Sequence, residues 1–105
     1  MSLDRAGRLW IATWRGVAVR DGATWSAMNE GLPDKHVLAI AIDRKNRVWV
    51  GMETGGVARL DGQRWTVFDR MSGLPSQTVQ ALTVDPWGRV WAGTDQGLMR
   101  FEGQR

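Results

Sequence analysis

Asp43-Arg44-Lys45-Asn46-Arg47-Val48-Trp49-Val50-Gly51 and Asp85-Pro86-Trp87-Gly88-Arg89-Val90-Trp91-Ala92-Gly93 share one pattern, Asp-x-x-Gly/Asn-Arg-apolar-Trp, and Asp4-Arg5-Ala6-Gly7-Arg8-Leu9-Trp10 repeats it a third time. Trp10 and Trp49 stand 39 residues apart, Trp49 and Trp91 42. A second stretch recurs in the same phase: Arg20-Asp21-Gly22-Ala23-Thr24-Trp25, Leu60-Asp61-Gly62-Gln63-Arg64-Trp65 and Phe101-Glu102-Gly103-Gln104-Arg105. Gly-Leu-Pro returns at 31–33 and 73–75. A period near forty residues, kept in phase, marks a repeat architecture.

Within one period, apolar and aromatic runs of four to six residues alternate with Gly, Asp, Asn and Pro, which reads as four short strands. In the middle unit these are Val37–Ile42, Arg47–Met52, Gly56–Leu60 and Trp65–Phe68, designated a, b, c and d. Strand a is continuously apolar and suits cover on both faces. The Asp-x-x-Gly/Asn and Asp-Gly signals sit where hairpin turns need residues that tolerate positive φ. No stretch holds an apolar 3.6-residue period long enough for a helix. The expectation is an all-β meander with one four-stranded sheet per period. Such a sheet has two apolar faces to bury, so sheets must stack, and a forty-residue, four-stranded unit favours a β-propeller.

The chain divides into b-c-d at 3–35, a full blade at 36–75 and a-b-c at 76–105, entering at the end of an a strand. That makes ten strands, or about two and a half blades, too few to close a ring alone. Either a longer parent protein or a second copy would complete it; two copies supply the strands of five blades, and strand exchange is another route. Association with further copies, as a dimer or higher homo-oligomer, is therefore expected.

The same residues resemble the two-component regulator propeller repeat, which runs approximately Asp-x-x-Gly-x-apolar-Trp-apolar-Gly-Thr-x-x-Gly-apolar. Val84 to Leu98 is similar nearly throughout. Ile42 to Val57 departs at Asn46 and Met52, and Leu3 to Val17 at Ala12 and Trp14. The resemblance implies a sensor propeller of bacterial membrane-bound regulators, periplasmic or extracytoplasmic in a parent protein, that binds a ligand, often a carbohydrate, and signals to a kinase.

Composition removes several chemistries. The 105 residues include no Cys, so disulfides, thiolate zinc sites and cysteine nucleophiles are excluded. His36 is the only histidine, which leaves no catalysis needing two imidazoles. No cofactor or metal is expected, and no apolar run approaches the roughly 20 residues that span a bilayer, so no membrane contact is expected of this chain. Net charge is +3, with twelve Arg against two Lys, but Asp alternates with Arg at each turn, which argues against nucleic acid and for solubility.

Among candidate sites, Trp10, Trp49 and Trp91 on strand b, and Trp25 and Trp65 on strand d, recur in phase and read as packing between blades. Trp14 and Trp87 break the phase. Trp14 lies with Arg15 in the b–c loop, where the other copies have Glu53 and Asp95-Gln96; in propellers that loop shares a face with the d–a loop, which here brings Lys35, His36, Ser76 and Gln77. A Trp beside an Arg could stack on a sugar ring or other small molecule. The candidate ligand-binding set is thus Trp14, Arg15, His36, Glu53, Asp95 and Gln96. Trp87 is expected to cover its own hairpin. Asp4, Asp43 and Asp85 are expected to cap the a–b turns rather than hold calcium. The expected function is a non-enzymatic interaction or ligand-binding module; the alternatives are a self-assembling scaffold without ligand, and a lyase or hydrolase working through His36.

Overall fold

The computed structural model describes residues 2–28, 32, 34–61, 64–68 and 76–101. Most of both Gly-Leu-Pro segments, the Gly62-Gln63 turn and Glu102 to Arg105 lie outside the described residues. The chain forms three antiparallel meander sheets. The first runs β1 (Ser2–Leu3), β2 (Leu9–Thr13), β3 (Gly16–Asp21) and β4 (Thr24–Ala27). The second runs β5 (Val37–Ile42), β6 (Val48–Met52), β7 (Val57–Asp61) and β8 (Arg64–Phe68), and the third β9 (Val79–Val84), β10 (Val90–Thr94) and β11 (Gly97–Phe101). The described strands number eleven, one more than expected, because the two-residue remnant of the first a strand still pairs, Leu3 opposite Leu9.

Each sheet has one meander order because its connections are tight turns. At the a–b turns, Gly7, Asn46 and Gly88 hold φ of 81°, 65° and 85°, the left-handed backbone that the Gly/Asn of the motif supplies. The β2–β3 and β10–β11 hairpins are two-residue loops, Trp14-Arg15 and Asp95-Gln96. In each, the preceding Thr donates its hydroxyl to the following Gly carbonyl, Thr13 to Gly16 and Thr94 to Gly97.

Alternation along each strand sends one set of side chains to the preceding sheet and the other to the next. Between the first and second sheets lie Trp10, Val17 and Val19 from one side and Val48, Val50, Met52, Leu60 and Trp65 from the other. Between the second and third lie Trp49 and Val57 against Val79, Val90, Ala92 and Phe101. Trp49 is fully buried, stacked on Phe68 at 5.8 Å and against Phe101 at 5.1 Å. Gly51 lets the second and third sheets approach: a Cβ there would stand 2.6 Å from Val79 Cγ1.

Two expectations about side chains need correction. Trp25 is not core; it is 54% exposed although Trp65, its repeat equivalent, is buried. Trp65 covers the first sheet and donates its indole N–H to the Met28 carbonyl at 2.9 Å, whereas Trp25 faces the side of the first sheet on which the described residues place no neighbour. Strand a of the middle blade is not covered on both faces throughout, since a register shift between Val37 and Ala39 turns Leu38 outward.

Candidate functional site

At the turn end of the stack, the repeated Asp is a four-bond acceptor. Asp43 Oδ1 accepts the backbone N–H of Lys45 and of Arg47, each at 2.9 Å, while Oδ2 accepts Arg47 Nε and Trp49 Nε1, each at 2.8 Å. Asp4 does the same for Ala6, Arg8 and Trp10, and Asp85 for Trp87, Arg89 and Trp91. One carboxylate thereby fixes the turn, the guanidinium four residues on and the core indole six residues on, which is why the motif spells Asp, Arg and Trp at those spacings. Burial alone pushes the Asp43 carboxyl up. The hydrogen bonds from Trp49 and Arg47 and the adjacent guanidinium charge outweigh that and hold it below the ordinary carboxylate range.

The expectation that the motif Arg residues serve solubility is corrected here. Arg8, Arg47 and Arg89 are ion-paired to their own repeat's Asp, and each lies about 6 Å from the centroid of the Trp that shares it. The turns are also chained to one another. The Arg5 backbone N–H donates to Asn46 Oδ1 at 2.8 Å, its guanidinium donates to the Arg44 carbonyl, and the Arg44 side chain packs on Gly88. Trp87 is 73% exposed and sits 5.1 Å from the Arg89 guanidinium in its own hairpin.

At the opposite, loop end, three of the sequence candidates converge. Trp14 meets the His36 ring edge-on, with centroids 4.6 Å apart and planes at 65°. His36 Nδ1 lies 3.2 Å from Glu53 Oε2, and the His36 carbonyl accepts the Glu53 backbone N–H at 2.9 Å. Trp14 is 63% exposed, and the side chains of His36 and Glu53 are half exposed, so the cluster is presented to solvent. It bridges two sheets, Trp14 from the first and Glu53 from the second.

Asp34 holds this cluster in place and was not among the sequence candidates. Its Oδ1 accepts the His36 backbone N–H, and its Oδ2 accepts both the backbone N–H and the hydroxyl of Thr54. Burial pushes its carboxyl up, yet these bonds hold it below the ordinary range. The sequence signal was there: an Asp two residues before His36 is the arrangement of an Asx turn. Gln77 extends the belt, donating its side-chain amide to the Thr54 carbonyl and accepting the Gly56 backbone N–H on its own carbonyl. Arg15 lies in the turn beside Trp14, its backbone N–H on Thr13 Oγ1. Asp95 and Gln96 occupy the equivalent turn of the third sheet, and none of the described contacts ties their side chains to the Trp14 cluster. Ser76 caps the backbone of Thr78, and Lys35 is exposed. Among the described residues, no three His, Asp or Glu side chains cluster as a metal site would require, and no helix is long and apolar enough to cross a membrane.

The two component regulator propeller family model matches residues 31–54 and 73–96, the two stretches that run from Gly-Leu-Pro through strands a and b. No curated protein matches the sequence. Among solved structures, the extracellular domain of the hybrid two-component system BT3049 from B. thetaiotaomicron superposes with a TM-score of 0.85 over 96% of this chain, at 23% identity. PorZ, a surface component of the type-IX secretion system of Porphyromonas gingivalis, superposes with a TM-score of 0.77 over 96% of the chain, at 20% identity. The chain spans 15% of the first of those proteins and 17% of the second. Both likenesses concern the fold.

Proposed function

We propose, because this chain carries two-component regulator propeller repeats, that it is a non-enzymatic recognition module, part of a propeller that senses a ligand on its loop face. The observation that carries the reading is the solvent-facing Trp14, set edge-on to His36, with Glu53 hydrogen-bonded behind it. An exposed indole beside hydrogen-bonding groups of both signs suits a ring with polar substituents, such as a sugar, which stacks its apolar face and bonds through its hydroxyls. Because the cluster joins two sheets, a ligand there reports on how those sheets sit together, which is what a sensor needs. An extracellular setting, that of the domain in the hybrid two-component neighbour, belongs to the same reading.

Calorimetry and Trp fluorescence against a panel of mono- and oligosaccharides test it. A response abolished by Trp14→Ala, with the far-UV spectrum unchanged, supports recognition. A turnover that disappears in His36→Gln would replace it with catalysis, and silence across the panel would remove the sugar reading.

A second reading, self-association, is favoured by the outer faces of the stack. Leu3 and Trp25 on one side and Leu98 on the other are 66%, 54% and 71% exposed, at repeat positions that are apolar and covered where one sheet faces another. Further blades or a second copy would cover the same residues. Light scattering at micromolar concentration decides for this chain: a folded monomer of 11.8 kDa refutes association.

A further inference from the structure

The two gaps between sheets should be equivalent by repeat, and they are not. In the gap between the second and third sheets, Arg59 stands opposite Trp49 across the β6–β7 ladder, and its guanidinium lies 5.5 Å from the Trp49 ring and 5.4 Å from Phe68. Opposite Trp91, the register places Arg100. Opposite Trp10, it places Val19, and Met28 takes the place of Phe68, its backbone N–H on the Val17 carbonyl as the ladder continues past β4. Two large side chains are thus replaced by smaller ones in one gap only. The consequence is a groove of about 460 Å³ between the first and second sheets at the turn end, the end opposite Trp14 and His36.

Its lining is bipolar. Val19, Met28 and Leu60 give it an apolar wall, and Trp10, almost wholly buried, forms the floor. The motif cations at its edge, Arg8 and Arg47, are each neutralised by the Asp of their own turn. That leaves Asp21 on the first sheet and Lys45 on the turn of the second. They are opposite charges on opposing walls, and neither belongs to an ion pair among the described residues. Lys45 is itself a departure from phase, standing where the third repeat has Trp87.

We propose that this groove binds a small zwitterion with an apolar body, the chemistry of a free α-amino acid. The ammonium pairs with Asp21, the carboxylate with Lys45, and the side chain occupies the space that Arg59 and Phe68 fill in the neighbouring gap. The volume accommodates even the largest apolar amino acids, and each charge at the rim meets its complement, which sets the orientation of the ligand while the apolar wall takes its body. This site is independent of the loop-face reading, since it shares no residue with it.

The test is calorimetry on the full chain with L-phenylalanine, alongside 3-phenylpropanoate, which lacks the ammonium, and 2-phenylethylamine, which lacks the carboxylate. Phenylalanine is expected to bind, and each truncated probe to bind about tenfold more weakly or worse. Val19→Arg restores the repeat's own plug and should abolish binding while near-UV dichroism stays native. Lys45→Gln and Asp21→Asn, both exposed, should each weaken phenylalanine about tenfold without affecting the fold. No heat with phenylalanine at 10 mM (about a hundredfold above a 0.1 mM Kd) overturns the proposal, as does equal affinity for phenylalanine and 3-phenylpropanoate, or undiminished binding in a folded Val19→Arg. Should Val19→Arg fail to fold, the two charge variants decide by the same criterion.

Discussion

Asp43→Asn isolates the bond set that joins turn, guanidinium and core. The substitution keeps volume and keeps Oδ1, which still accepts the Lys45 and Arg47 backbone N–H groups. It replaces Oδ2 with an amide NH2, which points a donor at two donors, Arg47 Nε and Trp49 Nε1. The Trp49 indole is at 0% exposure, so its N–H has no route to water, and Arg47 loses its carboxylate partner with only 15% of its side chain exposed. Leaving a buried donor unpaired costs about 1–3 kcal/mol, more where a charge loses its partner, so the pair together should cost about 3–5 kcal/mol. With a urea slope of about 1–3 kcal/mol per molar for a domain of this size, the midpoint should fall by roughly 1 M or more at unchanged slope.

The pH profile supplies an independent check. Burial raises the Asp43 carboxyl, but the bonds from Trp49 and Arg47 lower it further than burial raises it, so the folded-state value lies below the unfolded one. A carboxylate depressed in this way contributes stability above its unfolded value, near 4, and loses it as pH falls through the folded value. Wild-type stability should therefore drop on acidification below about pH 4, and Asp43→Asn should flatten that drop. Asp85→Asn serves as the internal control, because Trp91 faces the outer side of the stack and is only partly buried, so its N–H can reach water. If urea denaturation finds Asp43→Asn and Asp85→Asn equally mild, the shared-carboxylate account of the motif is wrong.

Trp49→Ala should cost about 3–5 kcal/mol, because it empties a site packed by Phe68, Phe101 and Arg59, whereas Trp14→Ala should cost under about 1 kcal/mol; thermal unfolding monitored by circular dichroism compares them. Gly51→Ala should destabilise by about 1–3 kcal/mol, since its Cβ would meet Val79 Cγ1 at 2.6 Å and the Val79 carbonyl oxygen at 3.1 Å. Gly93→Ala, at the same repeat position on the outer face, meets nothing nearer than 3.7 Å and should be near neutral. Asp34→Ala should leave the global unfolding midpoint within about 0.5–1 kcal/mol of wild type, while hydrogen exchange at the amides of His36 and Thr54 accelerates; unchanged exchange would refute its role in holding the loop cluster.

The residues that recur in phase made the fold legible. Asp, Gly or Asn, Arg and Trp at fixed offsets describe a turn and a strand facing a neighbour, and strand period fixes which neighbour each side chain meets. What the pattern hid is that the Asp bonds its own Arg and Trp. Composition sees Asp alternating with Arg and reads solubility, since hydrogen bonding across four and six residues has no period of its own. Trp25 was misplaced for a related reason. A repeat position tells which way a side chain faces, while burial depends on whether a sheet stands there, which is a property of the chain's extent. At the loop end, Trp14, His36 and Glu53 could be brought together because propeller connectivity puts b–c and d–a loops on one face. Asp34 escaped because its partner Thr54 is twenty residues away in a turn that the other repeats build differently.

Departures from phase carry the other half of the information. A residue kept in every blade serves what every blade needs, which is adhesion to its neighbour. Trp14, Val19, Met28 and Lys45 each stand where the other repeats have something different, and all four belong to the pairing of the first and second sheets: Trp14 at its loop end, the other three at its turn end. Strand b runs between those ends, so a ligand bridging the sheets at either one favours the same docked arrangement. The stabilisation follows RT ln(1 + [L]/Kd) for a species that binds the docked pair alone, about 2.7 kcal/mol at a hundredfold excess over Kd. Two sites linked through one rigid interface must then reinforce each other to the same extent in both directions. A sugar bound at Trp14 should tighten phenylalanine at Lys45 by the factor that phenylalanine tightens the sugar, and titrating each ligand at saturation of the other measures both factors. A factor of one, with neither ligand altering the affinity of the other, would show that the two ligands do not act on a common sheet pairing.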